Sequence, residues 1–210
     1  DVPEWLRPLW QDSMGDQSEA VASAQQSRAD VFLRVNRRNA TVHDAIAKLA
    51  QDGIVAVPHA TVEGCLRVTQ NPRRIKTSAA YLTGLIELQD ASSQAAVAGI
   101  KVAARARVLD YCAGGGGKAL AFADQHNATV VAHDIAPQRL RDLPSRAARA
   151  GVDIAICHTD QLGHQPLFDV VFCDAPCSGS GTWRRAPDAK WRFFADSLDQ
   201  LTQAQATVLA

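Results

Sequence analysis

Residues Arg107 to Lys118 read RVLDYCAGGGGK. Val108 and Leu109 lead into an acid, Asp110. The chain then passes Tyr111, Cys112 and Ala113 into four consecutive glycines, Gly114, Gly115, Gly116 and Gly117, before Lys118. Arg107 to Tyr111 has the length and composition of a buried strand, and Gly116 to about Gln125 reads as the helix that follows. Glycines between a strand and a helix let the backbone approach a ligand and leave amides free at the helix N-terminus. Alone, the loop has several readings. Gly114, Gly116 and Ala119 satisfy the dinucleotide pattern G-x-G-x-x-A. A Walker A loop is excluded, because Cys112 stands at that motif's first glycine and Ala119 at its Ser or Thr.

Downstream, strand and helix signals alternate. Thr129 to Ala132, Asp153 to Cys157 and Asp169 to Cys173 read as strands, Pro137 to Ala150 as a helix, and Phe193 to Ala210 as a final helix. This alternation predicts an α/β fold with a doubly wound, Rossmann-like parallel sheet. Acids follow successive strands: Asp134 after the second, Asp160 after the third, Asp174 after the fourth. In such a sheet, residues after the strand C-termini face one crevice. Asp134, roughly twenty residues past the glycines, is placed to accept hydrogen bonds from ribose hydroxyls, and Asp160 to reach an adenine amino group. A turn or helix-cap role is the local alternative for each. Jointly they fit a nucleoside ligand without a pyrophosphate, and a ring of carboxylates suits the sulfonium cation of S-adenosylmethionine.

The upstream half has a different rhythm. Pro3 to Gln25 carries Trp5, Leu6, Leu9 and Trp10 at near-helical spacing, which predicts two short helices broken near Gly15. The abrupt start suggests that something precedes it. Val31 to Val35 reads as a strand. Thr41 caps a helix that runs to about Asp52 and buries Val42, Ala45, Ile46 and Leu49, with Asp44 in the capping-box position. Gly53 stops it. Ile54 to Val57 and Cys65 to Val68 are further strands, Tyr81 to Gln89 one or two more, and Ala91 to Val102 a helix capped by Asp90 or Ser92. The pattern predicts a small α+β unit. We place residues 1–80 in an N-terminal part and 81–210 in a second domain. Arg34, Arg37, Arg38, Arg73, Arg74 and Lys76 decorate the small unit, as a solvated face or as a phosphate-contacting surface.

Of 210 residues, 47% are hydrophobic and 21% charged, which suits one globular domain or one with a small companion. No apolar run approaches the roughly 18 residues of a membrane span. DVPEWLRPLW at the start has no basic leader or signal-like core, so a soluble cytoplasmic protein is expected. Lys plus Arg and Asp plus Glu both number 22. That balance weighs mildly against a nucleic-acid partner, although local clustering decides phosphate binding. Five cysteines without a CxxC argue against disulfides and zinc, and His133, His158 and His164 show no metal spacing.

The second informative stretch is Asp169 to Trp191, DVVFCDAPCSGSGTWRRAPDAKW. A short apolar strand ends in Asp174, then Pro176 and Cys177, a small-residue loop, and a tail of Trp183, Arg184, Arg185, Lys190, Trp191 and Arg192. A strand that ends in an acid beside a cysteine, on a proline-shaped turn, is where an α/β protein does chemistry. The tail's tryptophans are able to stack on bases or to cover the sheet edge, and its cations to hold phosphates. Cys65, Cys157 and Cys173 read as core.

LDYCAGGGGK and DAPCSGSGTWRRAPDAKW together resemble the RNA cytosine-5 methyltransferases of the Sun/Fmu type. LQDASSQ (Leu88 to Gln94) resembles the lead into that family's catalytic domain, and VFLRVN (Val31 to Asn36) the opening of its small RNA-binding unit. The resemblance implies methyl transfer from S-adenosylmethionine to C5 of a cytosine in RNA, ribosomal RNA before tRNA; the oligomeric state is open, with a monomer favoured, and no metal is expected. It implies donor contacts from Cys112 to Lys118 and from Asp134, Asp160 and Asp174. Asp174 would pair with the N3 and N4 edge of the cytosine, Lys118 would orient Asp174 or lower a thiol pKa, and Cys177 would release the product. Two departures lie in the glycine loop: Gly115 replaces a usual proline, and Ala119 a usual threonine. The third concerns the nucleophile, which the family carries in a Thr-Cys element after a fifth strand. No Thr-Cys dipeptide occurs in these residues, and Ala210 falls in the helix expected before that strand. Two rival readings follow: a catalytically incompetent RNA-binding module on the same fold, and an NAD(P)-dependent dehydrogenase resting on the glycine pattern alone.

Overall fold

The computed structural model describes residues 2–209. It opens with α1 (Arg7–Met14) and α2 (Ser18–Ala24), parted by a 3-10 turn at Gly15–Gln17, as the spacing predicted.

The chain then builds an antiparallel sheet. Its elements are β1 (Val31–Val35), α3 (Val42–Gln51), β2 (Val55–Pro58), β3 (Cys65–Gln70), α4 (Ala79–Leu82) and β4 (Ile86–Leu88), with strand order β2-β3-β1-β4. The capping box at α3 is complete. Thr41 Oγ1 accepts the Asp44 amide at 3.1 Å, and Asp44 Oδ2 accepts the Thr41 amide at 3.1 Å. Leu33, Val35, Ala45, Leu49, Ile54 and Leu66 form the sealed core between α3 and the sheet. Each large apolar side chain removed from water there contributes about 1.5–3 kcal/mol.

Tyr81 to Gln89 departs from the expected strand. Ser78 Oγ accepts the Tyr81 amide at 3.2 Å and starts α4, so only Ile86–Leu88 is left extended. Gly84 makes the turn between them at φ 72°, and a Cβ there would sit 1.8 Å from the Arg149 carbonyl oxygen. Only glycine fits so close a backbone approach. Through β4 the antiparallel sheet continues past the 80/81 boundary.

Next come α5 (Ala91–Ala98), β5 (Arg107–Asp110), α6 (Gly117–Gln125), β6 (Thr129–Ala132), α7 (Leu143–Ala150), β7 (Ile154–Ile156) and β8 (Val170–Phe172). The four strands pair in parallel in the order β7-β6-β5-β8. The expected α/β class and doubly wound, Rossmann-like sheet are therefore present. Two helices are shorter than expected. α5 stops at Ala98, with Gly99 as its cap, instead of reaching Val102. The span from Pro137 splits into a 3-10 turn, Pro137–Leu140, and α7. Pro144 lies in the first turn of α7, where its missing N–H costs nothing; one long helix would have needed that N–H. Leu120, Phe122, Val108, Ala132 and Leu143 fill the main core of this half.

Contact density divides the chain into two compact units: residues 30–174, which hold both sheets, and the residues before Asp30 together with those after Asp174. Inside the first of these, Asn36 Nδ2 donates to the carbonyls of Gly84 (3.0 Å) and Ala150 (2.7 Å), so β1's end is bonded directly to α7's end.

The other unit contains α1, α2 and α8 (Ala195–Leu209). Trp183 is its centre, buried with Val2 and Leu6 and stacked on Trp10 at 6.3 Å. Arg184 Nη2 donates to Ser27 Oγ at 2.8 Å. Two tail residues therefore differ from the base-stacking and phosphate-holding roles: Trp183 and Lys190 are buried. Trp191 is exposed, and Arg192 pairs with Asp188 at 2.7 Å. No helix among the described residues is long and apolar enough to cross a membrane.

Candidate active site

The parallel ladder runs on for one residue past each strand. Tyr111 N donates to Phe172 O, His133 N to Asp110 O, and Cys157 N to Ala132 O, each at 2.9 Å. The strand ends are thus level, and the residues that follow them share one edge. Strand order reverses between β5 and β8, which is where a doubly wound sheet opens its ligand crevice.

Lys118 and Asp174 meet there. Lys118, in the first turn of α6, places Nζ 2.5 Å from Asp174 Oδ2, just after β8. The contact joins the glycine loop to the acid of the DAPC segment. Asp174 remains half-exposed, with 52% of its side chain open, so it is available to a ligand.

The glycine loop is tightly built. Gly116 takes φ 76° as the N-cap of α6, and a Cβ on it would fall 2.3 Å from Leu143 Cδ1. Ala113 N donates to His133 O at 2.9 Å, and Gly116 N to Ala113 O at 2.8 Å. Cys112 is half-buried in this loop, and burial pushes its thiol pKa up.

Asp134 is buried directly against the loop. Its Oδ2 accepts the Gly114 amide at 2.8 Å and pairs with Arg139 at 3.3 Å, while Oδ1 accepts the Ala136 amide at 3.0 Å. Asp134 thus ties the glycine loop to a guanidinium on the 3-10 turn Pro137–Leu140. Asp160 sits exposed on the 3-10 turn after β7, next in line along the sheet edge. His133 has a structural role: Nδ1 meets Tyr111 O at 2.7 Å, Nε2 meets Thr159 Oγ1 at 3.1 Å, and the ring stacks on Tyr111.

Asp110 is the group that sequence reading left without a role. It is 1% exposed, and neither carboxylate oxygen has a hydrogen-bond partner. Burial raises its pKa to about 7; Lys118 opposes the shift, whereas Asp174 and Asp134 add to it. The Ala119 amide is close enough to favour the charged form slightly but completes no hydrogen bond of ordinary geometry. Three acids, Asp110, Asp134 and Asp174, stand near one another at the strand ends, and carboxylates there suit a cationic ligand such as a sulfonium better than a diphosphate. The residues present thus fit S-adenosylmethionine. The signal in the sequence was available: Asp110 is the first of the acids that end the strands.

Cys177 is the exposed thiol among five free cysteines; Cys65 and Cys157 are buried, Cys112 and Cys173 half-buried. Gln205 Nε2 of α8 donates to the neighbouring Pro176 carbonyl at 2.7 Å. Among the described residues, no cluster of His, Cys, Asp and Glu is arranged to hold a metal ion.

Arg34 is a correction. Expected on a phosphate-contacting surface, it is buried and paired with Asp124 at 2.8 Å. Arg37 is exposed and pairs with Glu63 at 3.0 Å.

Known proteins resemble this chain in sequence and in fold. Residues 98–210 fit the family described as 16S rRNA methyltransferase RsmB/F, and residues 2–76 fit the ferredoxin-like domain of RsmF/B-like methyltransferases. Ribosomal RNA small subunit methyltransferase B of Vibrio cholerae serotype O1 is 32% identical over 99% of this chain and 49% of its own length. The same enzyme of Xanthomonas campestris pv. campestris is 33% identical, with the same coverage. The crystal structure of PH0851 superposes with a TM-score of 0.90 at 26% identity, over 99% of this chain and 49% of that one. The chain thus spans about half the length of the relatives it matches. With its family match covering more than half of its residues, the chain belongs to the RsmB/F family of 16S rRNA methyltransferases.

Proposed function

We propose that this chain binds S-adenosylmethionine at the glycine loop and presents a cytosine of small-subunit ribosomal RNA to it, for methylation at C5. The observation that carries this reading is the Lys118–Asp174 contact, which brings the glycine loop and the DAPC segment together at the strand-order reversal. Its setting is a soluble, cytoplasmic monomer.

S-adenosylmethionine supplies an electrophilic methyl group. This chain's own residues bind and orient the two reactants. Residues Cys112 to Lys118 hold the donor against the strand ends, Asp134 accepts from its ribose, and Asp160 takes its adenine edge. Burial raises the pKa of Asp110 to about 7, and a cation bound in the crevice would favour its charged form. Asp174 accepts the N4 amino group of the cytosine and holds a proton at N3, and Lys118 keeps that carboxylate in place. The base reaches these groups only when unstacked. Cys177 takes the proton that leaves C5 once the methyl group is attached.

Cytosine C5 becomes nucleophilic when a thiolate adds to C6. That addition belongs, by resemblance, to a cysteine in a Thr-Cys element. A second reading, a module that holds donor and RNA without completing the transfer, shares the same donor and base contacts. Fluorescence anisotropy with two RNA hairpins, identical except for a loop cytosine or uridine, tests the shared part of both readings. S-adenosylhomocysteine should tighten binding of the cytosine hairpin only. Equal affinity for both hairpins, unaffected by the nucleoside, would sink the proposal.

A further inference from the structure

The glycine loop is held from behind by the antiparallel sheet. Arg34 of β1 and Glu87 of β4 stand directly opposite each other in register, and both are buried. Arg34 splits its donors. Nε and Nη2 reach Asp124 Oδ2 of α6 at 3.0 and 2.8 Å. Nη1 donates to the Gly117 carbonyl at 3.0 Å and to Gln89 Oε1, and Gln89 Nε2 donates to the same carbonyl at 3.1 Å. Glu87 pairs with Arg149 at 2.7 Å and with Arg146 Nε at 3.5 Å. Arg146 Nη1 in turn donates to the Gly115 carbonyl.

Two carbonyls of the loop are therefore tied by guanidinium groups anchored on adjacent strands of the other sheet. A peptide unit is planar, so fixing its carbonyl fixes the direction of the amide that follows. The amide of Lys118 is oriented in this way, and the peptide before Gly116, whose amide already donates to Ala113 O at 2.8 Å, is held at both its ends.

We propose that Arg34 and Arg146 are positioning residues for the methyl donor. They set the peptide planes of the glycine loop, so donor affinity depends on the antiparallel sheet, through Arg34 of β1 directly and through Glu87 of β4, which holds Arg146 of α7. The inference rests on the reading of the loop as the donor site, and it assigns Arg34 to the cofactor instead of to RNA phosphate.

Arg34→Lys keeps a charge for Asp124 but loses the fork that also reaches Gly117. Arg146→Leu cuts the link from Glu87 to Gly115 and leaves Arg149 on Glu87. Calorimetric titration with S-adenosylhomocysteine, beside urea unfolding of the ligand-free chains, separates positioning from mere stability. Each variant should bind the nucleoside roughly ten-fold more weakly, the loss expected for a hydrogen bond to a charged group, while still unfolding cooperatively. Unchanged affinity in both variants, with only a lower urea midpoint, would overturn the inference. No binding to the unsubstituted chain would overturn the donor reading itself, and this inference with it.

Discussion

Lys118 and Asp174 are 2.5 Å apart across the strand-order reversal of the parallel sheet, one in the first turn of α6 and the other just past β8. The pair is half-exposed on the acid's side, so its contribution to stability is small, about 0–1 kcal/mol. Its consequence is orientation. Asp174→Ala should abolish any preference for a loop cytosine over uridine, worth about 1–3 kcal/mol for a paired base contact, while leaving overall RNA affinity in place. Lys118→Met should lower the preference in part. Competition anisotropy with the two hairpins measures both. Full discrimination by the Asp174 variant would remove the acid from the base-binding role.

Gly116 carries a second expectation. Its φ of 76° and the Leu143 methyl group 2.3 Å from the site of a Cβ make two separate demands for glycine. Gly116→Ala should cost roughly 1–2 kcal/mol for the left-handed backbone and about 1–3 kcal/mol more for overpacking. Urea unfolding would register this as a lower midpoint with an unchanged slope. A loss well under 1 kcal/mol would mean that the loop relaxes freely and is not the rigid cradle described.

The parts legible in the sequence were those set by local periodicity and local punctuation. Strand–helix alternation after Arg107 gave the parallel sheet, and Thr41 with Asp44 gave the start of α3. Arg34 was not legible. It alternates with Leu33 and Val35 along β1, so by strand periodicity it belongs on a solvated face. Asp124, far along the chain, comes to cover it, and nothing local announces that. Trp183 and Lys190 failed for the same reason, because the helices that bury Trp183 lie at the opposite end of the chain. The break before α7 was readable from Pro144, and the turn before β4 from Gly84. Both were masked by stronger apolar patterns around them. For the candidate site, the glycines and Asp134 lay where their spacing put them, whereas the isolation of Asp110 and the arginines behind the loop arise only on packing.

Asp110 gives the chain a pH dependence with a definite sign. Its folded pKa of about 7 lies above the ordinary value of 3.8, because burial disfavours the charge. Asp124 is raised in the same direction, to about 6, chiefly by burial, with Arg34 opposing. Between roughly pH 4 and pH 7 the folded chain therefore holds more protons than the unfolded one, and its stability falls as pH rises through that window. The Asp110 contribution is on the order of 4 kcal/mol. Asp110→Asn should flatten the upper part of the slope and leave the part due to Asp124. Urea midpoints at a series of pH values from 4 to 8 test this; an unaltered slope in the variant would assign the titration to another group.

The central claim is that the crevice at the ends of β5 and β8 takes a sulfonium-bearing nucleoside and not a dinucleotide. Isothermal titration of the chain with S-adenosylmethionine, S-adenosylhomocysteine and NADH tests it most directly. The expected result is saturable one-to-one binding of the first two, weakened by Asp134→Ala, and no binding of NADH. Tight NADH binding with no response to S-adenosylmethionine or S-adenosylhomocysteine would contradict the account.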